Sequence, residues 1–296
     1  MSHSSAKDRI LVAVTRDGRF RARAARLTSV VRECCQRHGV TGLAAEAMAR
    51  ALGCAAAFPT SAKDAERVTL QWSGGGPLRT VFTEARPGGF LRGFVGAAYV
   101  GEHNVSFSTR GVGHGLGVPG GYLNVLRQES SGVFTQSRTE LKSGEIDEDL
   151  ESWFFLSDQV PSRMRVLTGP LKDGVPREVT AILVQLLPGS GPEDLPPARV
   201  LEGMGADAQL VDLLDAAFEG RPFDVLEESD LEYRCFCARE RIADGIALLD
   251  VDELLDMINE DQGASVRCEF CATQYIFNRE DLEDIMVRKV TGHTQD

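Results

Sequence analysis

An α+β fold with a separate, metal-dependent C-terminal piece is what this sequence predicts, and three observations predict it. Alternating apolar and polar runs gather around turn dipeptides, two helical stretches follow one another directly, and four of seven cysteines fall in the last quarter of 296 residues. Strands and helices that segregate in this way argue against a parallel, doubly wound sheet.

The elements follow in chain order. "RILVAVTRDGRFRARAARLT" alternates around Asp17-Gly18, a dipeptide suited to a tight hairpin, and reads as two strands. Thr28 to His38 and Thr41 to Leu52 read as helices, each with a threonine near its start and Gly39 or Gly53 after its end. "VTLQWSGGGPLRTVFTEA" gives a second hairpin around Ser73 to Pro77, and "FLRGFVGAAYV" a third strand-like run.

"GVGHGLGVPGGYLNVL" satisfies G-x-G-x-x-G through Gly115, Gly117 and Gly120. Pro119 and the strand-like run behind it deny the strand-before, helix-after setting of a phosphate cradle, so a mobile glycine-rich loop is expected. His103 and His114 lie near it without a cysteine or serine in a nucleophile motif, and no enzyme activity is expected.

"SGEIDEDLESWFFLSDQVPS" is the next helix, closed by Pro161. Glu145, Asp147, Glu148 and Asp149 crowd its first turns, where carboxylates oppose the positive end of the helix dipole. That role is sufficient for them, because consecutive carboxylates point around a helix rather than converging on a metal or substrate. "MRVLTGPLKDGVPREVTAILVQLLPG" is a further hairpin. "PGSGPEDLPPARV", rich in Pro and Gly, ends an N-terminal core domain at 8–188 and opens a linker at 189–232 ahead of a C-terminal domain at 233–290. Within the linker, "DAQLVDLLDAAFEGRPF" carries an apolar stripe of Leu210, Val211, Leu214, Ala217 and Phe218 on a helix closed by Gly220 and Pro222. Either the helix simply packs on its own domain, or Leu210, Leu214 and Phe218 form a concealed client-binding surface.

Charge divides the chain. Residues 1–200 carry 24 Lys and Arg against 20 Asp and Glu, while 201–296 carry 8 against 24. The acidic field at the C-terminal end repels phosphate and counts against a nucleic-acid partner. No run reaches the roughly 18 apolar residues that a membrane span needs, and the opening segment lacks a signal-peptide core, so a cytoplasmic protein with no membrane partner is expected. Seven cysteines without secreted-type spacing fit a reducing compartment.

"RCFCARE" and "VRCEFCATQYIF" place Cys235 with Cys237 and Cys268 with Cys271. C-x-C with C-x-x-C supplies two close pairs of thiolates for the corners of a tetrahedron, the closed site that one Zn²⁺ favours, with no corner left for a catalytic water. The piece around it offers little else to bury: Ile242, Ile246, Leu248, Leu254, Leu255, Ile258, Tyr275, Phe277, Leu282 and Ile285. A domain of about 60 residues is marginal, whereas structural zinc contributes on the order of 10 to 16 kcal/mol of apparent binding energy that is also folding energy. Arg234, Arg239, Arg241 and Arg267 lie near in sequence and are expected to support thiolate character, which makes the site sensitive to oxidants. By motif alone the cysteines suggest a zinc-ribbon nucleic-acid binder or a thiol oxidoreductase. The acidic field weighs against the first, and the missing βαβ context of a redox C-x-x-C weighs against the second.

At "SGEIDEDLESWFFLSDQVPS", "ILVQLLPGS", "YRCFCARERI" and "ELLDMINEDQGASVRCEFCATQYIFNREDLEDI" the sequence resembles the 33 kDa heat shock protein family of redox-regulated chaperones, over most of its length. The resemblance implies an ATP-independent holdase, inactive when reduced and zinc-bound. On oxidation it would unfold its C-terminal part, form a homodimer and hold unfolding client proteins. It assigns the zinc-ligand and redox-switch roles to Cys235, Cys237, Cys268 and Cys271, with disulfides joining Cys235 to Cys237 and Cys268 to Cys271. Such local links would close almost no chain, whereas the metal clips together segments thirty residues apart. Phe236 separates the first pair where the family more often has a small or polar residue, and Cys34, Cys35 and Cys54 add thiols that open other oxidised pairings.

Overall fold

A computed structural model describes residues 7–59, 65–100 and 111–291. The chain divides into two compact units, Met1–Arg234 and Cys235–Asp296. No helix among the described residues is long and apolar enough to cross a membrane.

The first unit runs β1 (Arg9–Thr15), β2 (Phe20–Arg26), α1 (Thr28–His38), α2 (Gly42–Ala57), β3 (Ala65–Ser73), β4 (Thr80–Arg86), β5 (Phe90–Val95) and α3 (Val112–Leu116). It continues through β6 (Tyr122–Glu129), β7 (Phe134–Glu140), α4 (Ile146–Trp153), β8 (Ser162–Thr168), β9 (Leu171–Lys172), β10 (Val175–Pro176) and β11 (Val179–Leu186). It closes with α5 (Ala198–Glu202), α6 (Leu210–Ala217), β12 (Phe223–Asp230) and β13 (Glu232–Tyr233). One sheet has the order β12-β1-β2-β11-β8, and a second has β13-β5-β4-β3-β6-β7. All these pairings are antiparallel except β13 with β5. The mixed α+β class expected from segregated elements is the class observed.

Helix α2 packs against strands of both sheets and buries nearly every residue, as its run of alanines allows. Gly39 ends α1 in the left-handed region as expected, but Gly53 does not end α2. A Cβ at Gly53 would stand 2.8 Å from both γ-carbons of Val166, so this glycine lets β8 approach the helix mid-length. The stretch at 111–121 is likewise built for close approach and not for mobility. The Gly76 amide donates to the Leu116 carbonyl at 3.0 Å, Leu78 donates to Gly115 at 2.8 Å, and a Cβ on Gly74 would fall 1.9 Å from the Leu116 oxygen. His114 is an exposed residue of α3, while His103 lies outside the described residues.

The acids at the start of α4 are also more than a dipole complement, because Glu145, Asp147 and Asp149 are buried. Arg50 of α2 donates to Glu145 at 3.0 Å, to Asp147 at 3.3 Å and to Glu46 at 2.9 Å, while Asp149 accepts the amides of Lys142 and Ser143. They converge after all, on an arginine and on backbone amides, and lock α4 onto α2. Burial raises the Glu145 and Asp149 carboxyls above the ordinary carboxylate range. The helix runs on through a π-turn at Phe154–Asp158 and stops at Gln159 in the left-handed region, two residues before Pro161.

The segment expected to be a linker, 189–232, lies inside the first unit, whose boundary falls after Arg234. Its physical reason is apolar. Leu210, Leu213, Leu214 and Ala217 of α6, with Phe218 at its C-terminal cap, pack with Leu201 against Leu11, Phe20, Ala22, Ile182 and Val184 of the first sheet. Strand β12 then adds an edge to that sheet beside β1.

The second unit contains α7 (Arg239–Ile246), α8 (Val251–Asp256) with a π-turn at Met257–Asp261, the hairpin β14 (Gly263–Arg267) and β15 (Gln274–Asn278), and α9 (Arg279–Thr291). Its buried apolar cluster is Ala243, Ile246, Leu254, Ile258, Phe277, Leu282 and Ile285. Leu248 and Leu255, expected in this core, are exposed, and Ile242 and Tyr275 lie at its margin.

Candidate metal centre

Two short backbone features bring the four cysteines together. Cys235 and Cys237 occupy the short segment between β13 and α7, while Cys268 and Cys271 occupy the turn that joins β14 to β15. That turn is closed by the Cys268 amide donating to the Thr273 carbonyl at 2.9 Å and the Ala272 amide donating to the Cys268 carbonyl at 2.8 Å. Register fixes the hairpin, with Arg267 opposite Gln274 and Val266 opposite Tyr275.

All four sulfurs lie within 4.8 Å of one another. Cys235 Sγ is 3.8 Å from Cys268 Sγ, and Cys237 Sγ is 3.3 Å from Cys271 Sγ. A tetrahedron with metal–sulfur bonds of about 2.3 Å has edges of about 3.8 Å, so the donor set fits a four-coordinate thiophilic ion without rearrangement of the chain. Both contacts join one motif to the other, which is the geometry of a clip between the segment before α7 and the hairpin turn.

The surroundings treat the sulfurs unequally. Burial raises the Cys237 thiol to about 12, against the opposing hydrogen bond that the Tyr275 hydroxyl donates to it at 3.1 Å. Burial also raises Cys268, opposed by the amides of Cys271 and Phe270. At Cys271 burial is outweighed by hydrogen bonds from the Thr273 hydroxyl and amide, which lower that thiol to about 7. Thr273 Oγ1 stands 3.2 Å from the Cys271 sulfur. Four adjacent thiolates repel one another, and a dication among them offsets that repulsion.

Hydroxyls and amides occupy the places where the sequence suggested arginines. Arg239 donates to the Ile276 carbonyl at 2.6 Å and pairs with Asp281 at 2.8 Å, and Arg241 donates to the Phe236 carbonyl at 3.2 Å. Arg234 lies over the Phe90 ring. Thr273 and Tyr275 were not legible as partners of the sulfurs; their only sequence signal is a position two and four residues beyond Cys271.

Cys34, Cys35 and Cys54 do not join the cluster. They are buried in α1 and α2, and burial pushes all three thiols up, Cys35 to about 12. Thiols held protonated in this way are poor nucleophiles, so the alternative pairings they opened on paper are disfavoured. Leu210, Leu214 and Phe218 are far from open as well: each is at most 2% exposed, and their cover is the first unit's own sheet.

These features define a two-unit α+β protein with a closed four-cysteine centre in its smaller unit. A family model described as Hsp33 protein matches residues 8–278, and the chain belongs to this family. It is 34% identical over 289 residues to the 33 kDa chaperonin of Symbiobacterium thermophilum, covering 93% of this chain and 96% of the relative. The 33 kDa chaperonin of Geobacter sulfurreducens is 33% identical over 291 residues, 93% of this chain and 94% of that protein. The crystal structure of the 33 kDa chaperonin of Thermotoga maritima superposes with a TM-score of 0.84 at 28% identity, over 96% of this chain and 99% of that one.

Proposed function

We propose that this protein is a cytoplasmic, ATP-independent holdase chaperone that is switched on by oxidation. The observation that carries this reading is the gathering of four sulfurs in a unit whose buried apolar cluster holds seven residues among those described. With so small a core, the unit depends on its fastener. When bound to Cys235, Cys237, Cys268 and Cys271, zinc would supply that fastener and no hydrolytic chemistry.

Oxidation of Cys235 with Cys237 and of Cys268 with Cys271 would remove the long-range tie and leave two local ones. The unit would then loosen, and fraying would pass along the chain through Arg234 into β13, which is two residues long. The next element, β12, is exposed over most of its length and offers little resistance. Behind it lies α6, whose Leu210, Leu214 and Phe218 would come off the sheet together with the surface they cover. Both faces are apolar and suit unfolded or partly folded client proteins, or a second oxidised copy in a homodimer. The acidic run of 224–232 would keep the opened chain soluble.

The test is zinc release, followed with a chromogenic chelator, in parallel with suppression of aggregation of a heat-unfolding protein. The expected result is no suppression by reduced protein, and suppression that rises with zinc release after peroxide. Suppression independent of oxidation would overturn the switch. Metal analysis of Cys268→Ser should show tight zinc binding lost, and undiminished binding would remove the four-sulfur site from the argument.

A further inference from the structure

Between residues of both sheets of the first unit lies a cavity of about 210 Å³. Ala56 and Phe58 reach it from the C-terminal end of α2, Ile10 and Arg23 from the first sheet and Leu91 from the second, while Glu227 and Leu231 come from the passage of β12 into β13. Side chains alternate along β2. Ala22 and Ala24 face the apolar cluster under α6, so Arg23 faces α2 and the cavity. Burial there strips the guanidinium of water and lowers its pKa. Yet Arg23 makes no hydrogen bond or ion pair to any described residue, and its Nε is buried without an acceptor. The other charges of the lining are committed elsewhere. Glu227 attracts Arg23 without bonding it, being exposed and accepting the Ser229 hydroxyl at 2.8 Å, and Arg86 donates to Glu84 at 2.7 Å. Buried charges are ordinarily paired, so an unmatched guanidinium beside an apolar cavity is half of an ion pair.

We propose that this cavity binds a small monocarboxylate with a compact apolar body, held by Arg23, and that the bound ligand secures β12 and β13 in place. A planar guanidinium donates two parallel hydrogen bonds to a carboxylate, while the buried Ile10, Phe58, Leu91 and Leu231 suit an apolar body. Volume limits that body. An apolar cavity of about 150 Å³ takes benzene, so the space here accommodates one ring, or a chain of about six carbons, with its carboxylate. Drug-sized ligands call for about 300 Å³ or more and are excluded. Because Glu227 and Leu231 belong to the lining, the site is complete only while the chain from β12 to β13 lies across it. A ligand that needs the closed form multiplies its population by one plus the ratio of free ligand to Kd.

The experiment adds sodium benzoate to the reduced, zinc-loaded full chain and follows calorimetry and amide exchange, with sodium chloride of equal ionic strength as the reference. A Kd of about 1 mM or tighter is expected for so small a ligand. At about ten times Kd, exchange in β12 and β13 should slow about tenfold, while β7, at the far edge of the second sheet, is unchanged. Benzamide, of the same shape without the charge, should bind at least about tenfold more weakly. Arg23→Met keeps apolar bulk and removes the charge; with exchange protection in β2 intact, it should lose benzoate binding by a similar factor. If that variant fails to fold, the comparison of benzoate with benzamide on the parent decides. No benzoate binding, equal affinity for benzamide, or full binding by Arg23→Met overturns the site and leaves the redox switch standing. Unchanged exchange in β12 with benzoate bound overturns the hold on that strand.

Discussion

Glu84 is buried in β4, and it accepts from Arg92 at 3.0 and 2.9 Å and from Arg86 at 2.7 Å. Burial raises its carboxyl, but the two arginines outweigh burial and hold it below the ordinary glutamate range. A depressed folded pKa contributes stability above the unfolded value and loses it as pH falls through the folded one. Unfolding by urea should therefore show the parent losing stability below about pH 4.5, while Glu84→Gln loses less over the same interval because its deficit is already present at neutral pH. At pH 7 the variant should be less stable by about 3 kcal/mol, since it leaves the buried Arg92 and the half-buried Arg86 short of a charge. At this scale the four cysteines were legible because ligand spacing is local in sequence. Tyr275 and Arg50 were not, since only the register of a hairpin or the packing of two helices brings them to their partners.

Elements were legible wherever periodicity or a turn dipeptide marks them, as in the hairpin at Asp17-Gly18 and the stripe on α6. They were misread where tertiary packing overrides local signals. Gly53 looks like a helix terminator and is instead a contact point for Val166, and the glycines of 111–121 look loose because sequence does not show the backbone that packs against them. The stripe on α6 left its partner undecided, and the structure supplies it from the first unit. Phe218→Ala should accordingly destabilise the first unit by about 3 to 5 kcal/mol in denaturant titrations, with zinc content unchanged. Strand β12 should behave oppositely to α6 in its sensitivity to salt. Its side-chain links to the first strand's end of the sheet are exposed ion pairs, Arg16–Asp224, Arg9–Glu228 and Lys7–Asp230. Raising salt to about 1 M should speed amide exchange in β12 while β2, interior to the same sheet, keeps its protection.

For the whole molecule, the boundary at Arg234 predicts an order of events. Chelation of metal from reduced protein should remove exchange protection first in 235–290, then in β13 and β12, with β2 and β11 protected throughout; uniform loss would contradict the division into units. The proline-rich stretch at 188–200 misled because composition marks where a chain can bend and does not show what the following residues pack against. The passage from β12 to β13 carries a mechanical consequence. Within two residues the chain leaves the edge of one sheet and joins the edge of the other: the Leu231 amide donates to Asp8, Glu232 to Gly89 and Arg234 to Leu91. Peeling of the chain from residue 235 breaks these bonds in turn, Arg234 to Leu91 first and Leu231 to Asp8 last. The buried Leu231 and Tyr233 side chains leave with them, so the join couples loss of one sheet's edge strand to loss of the other's.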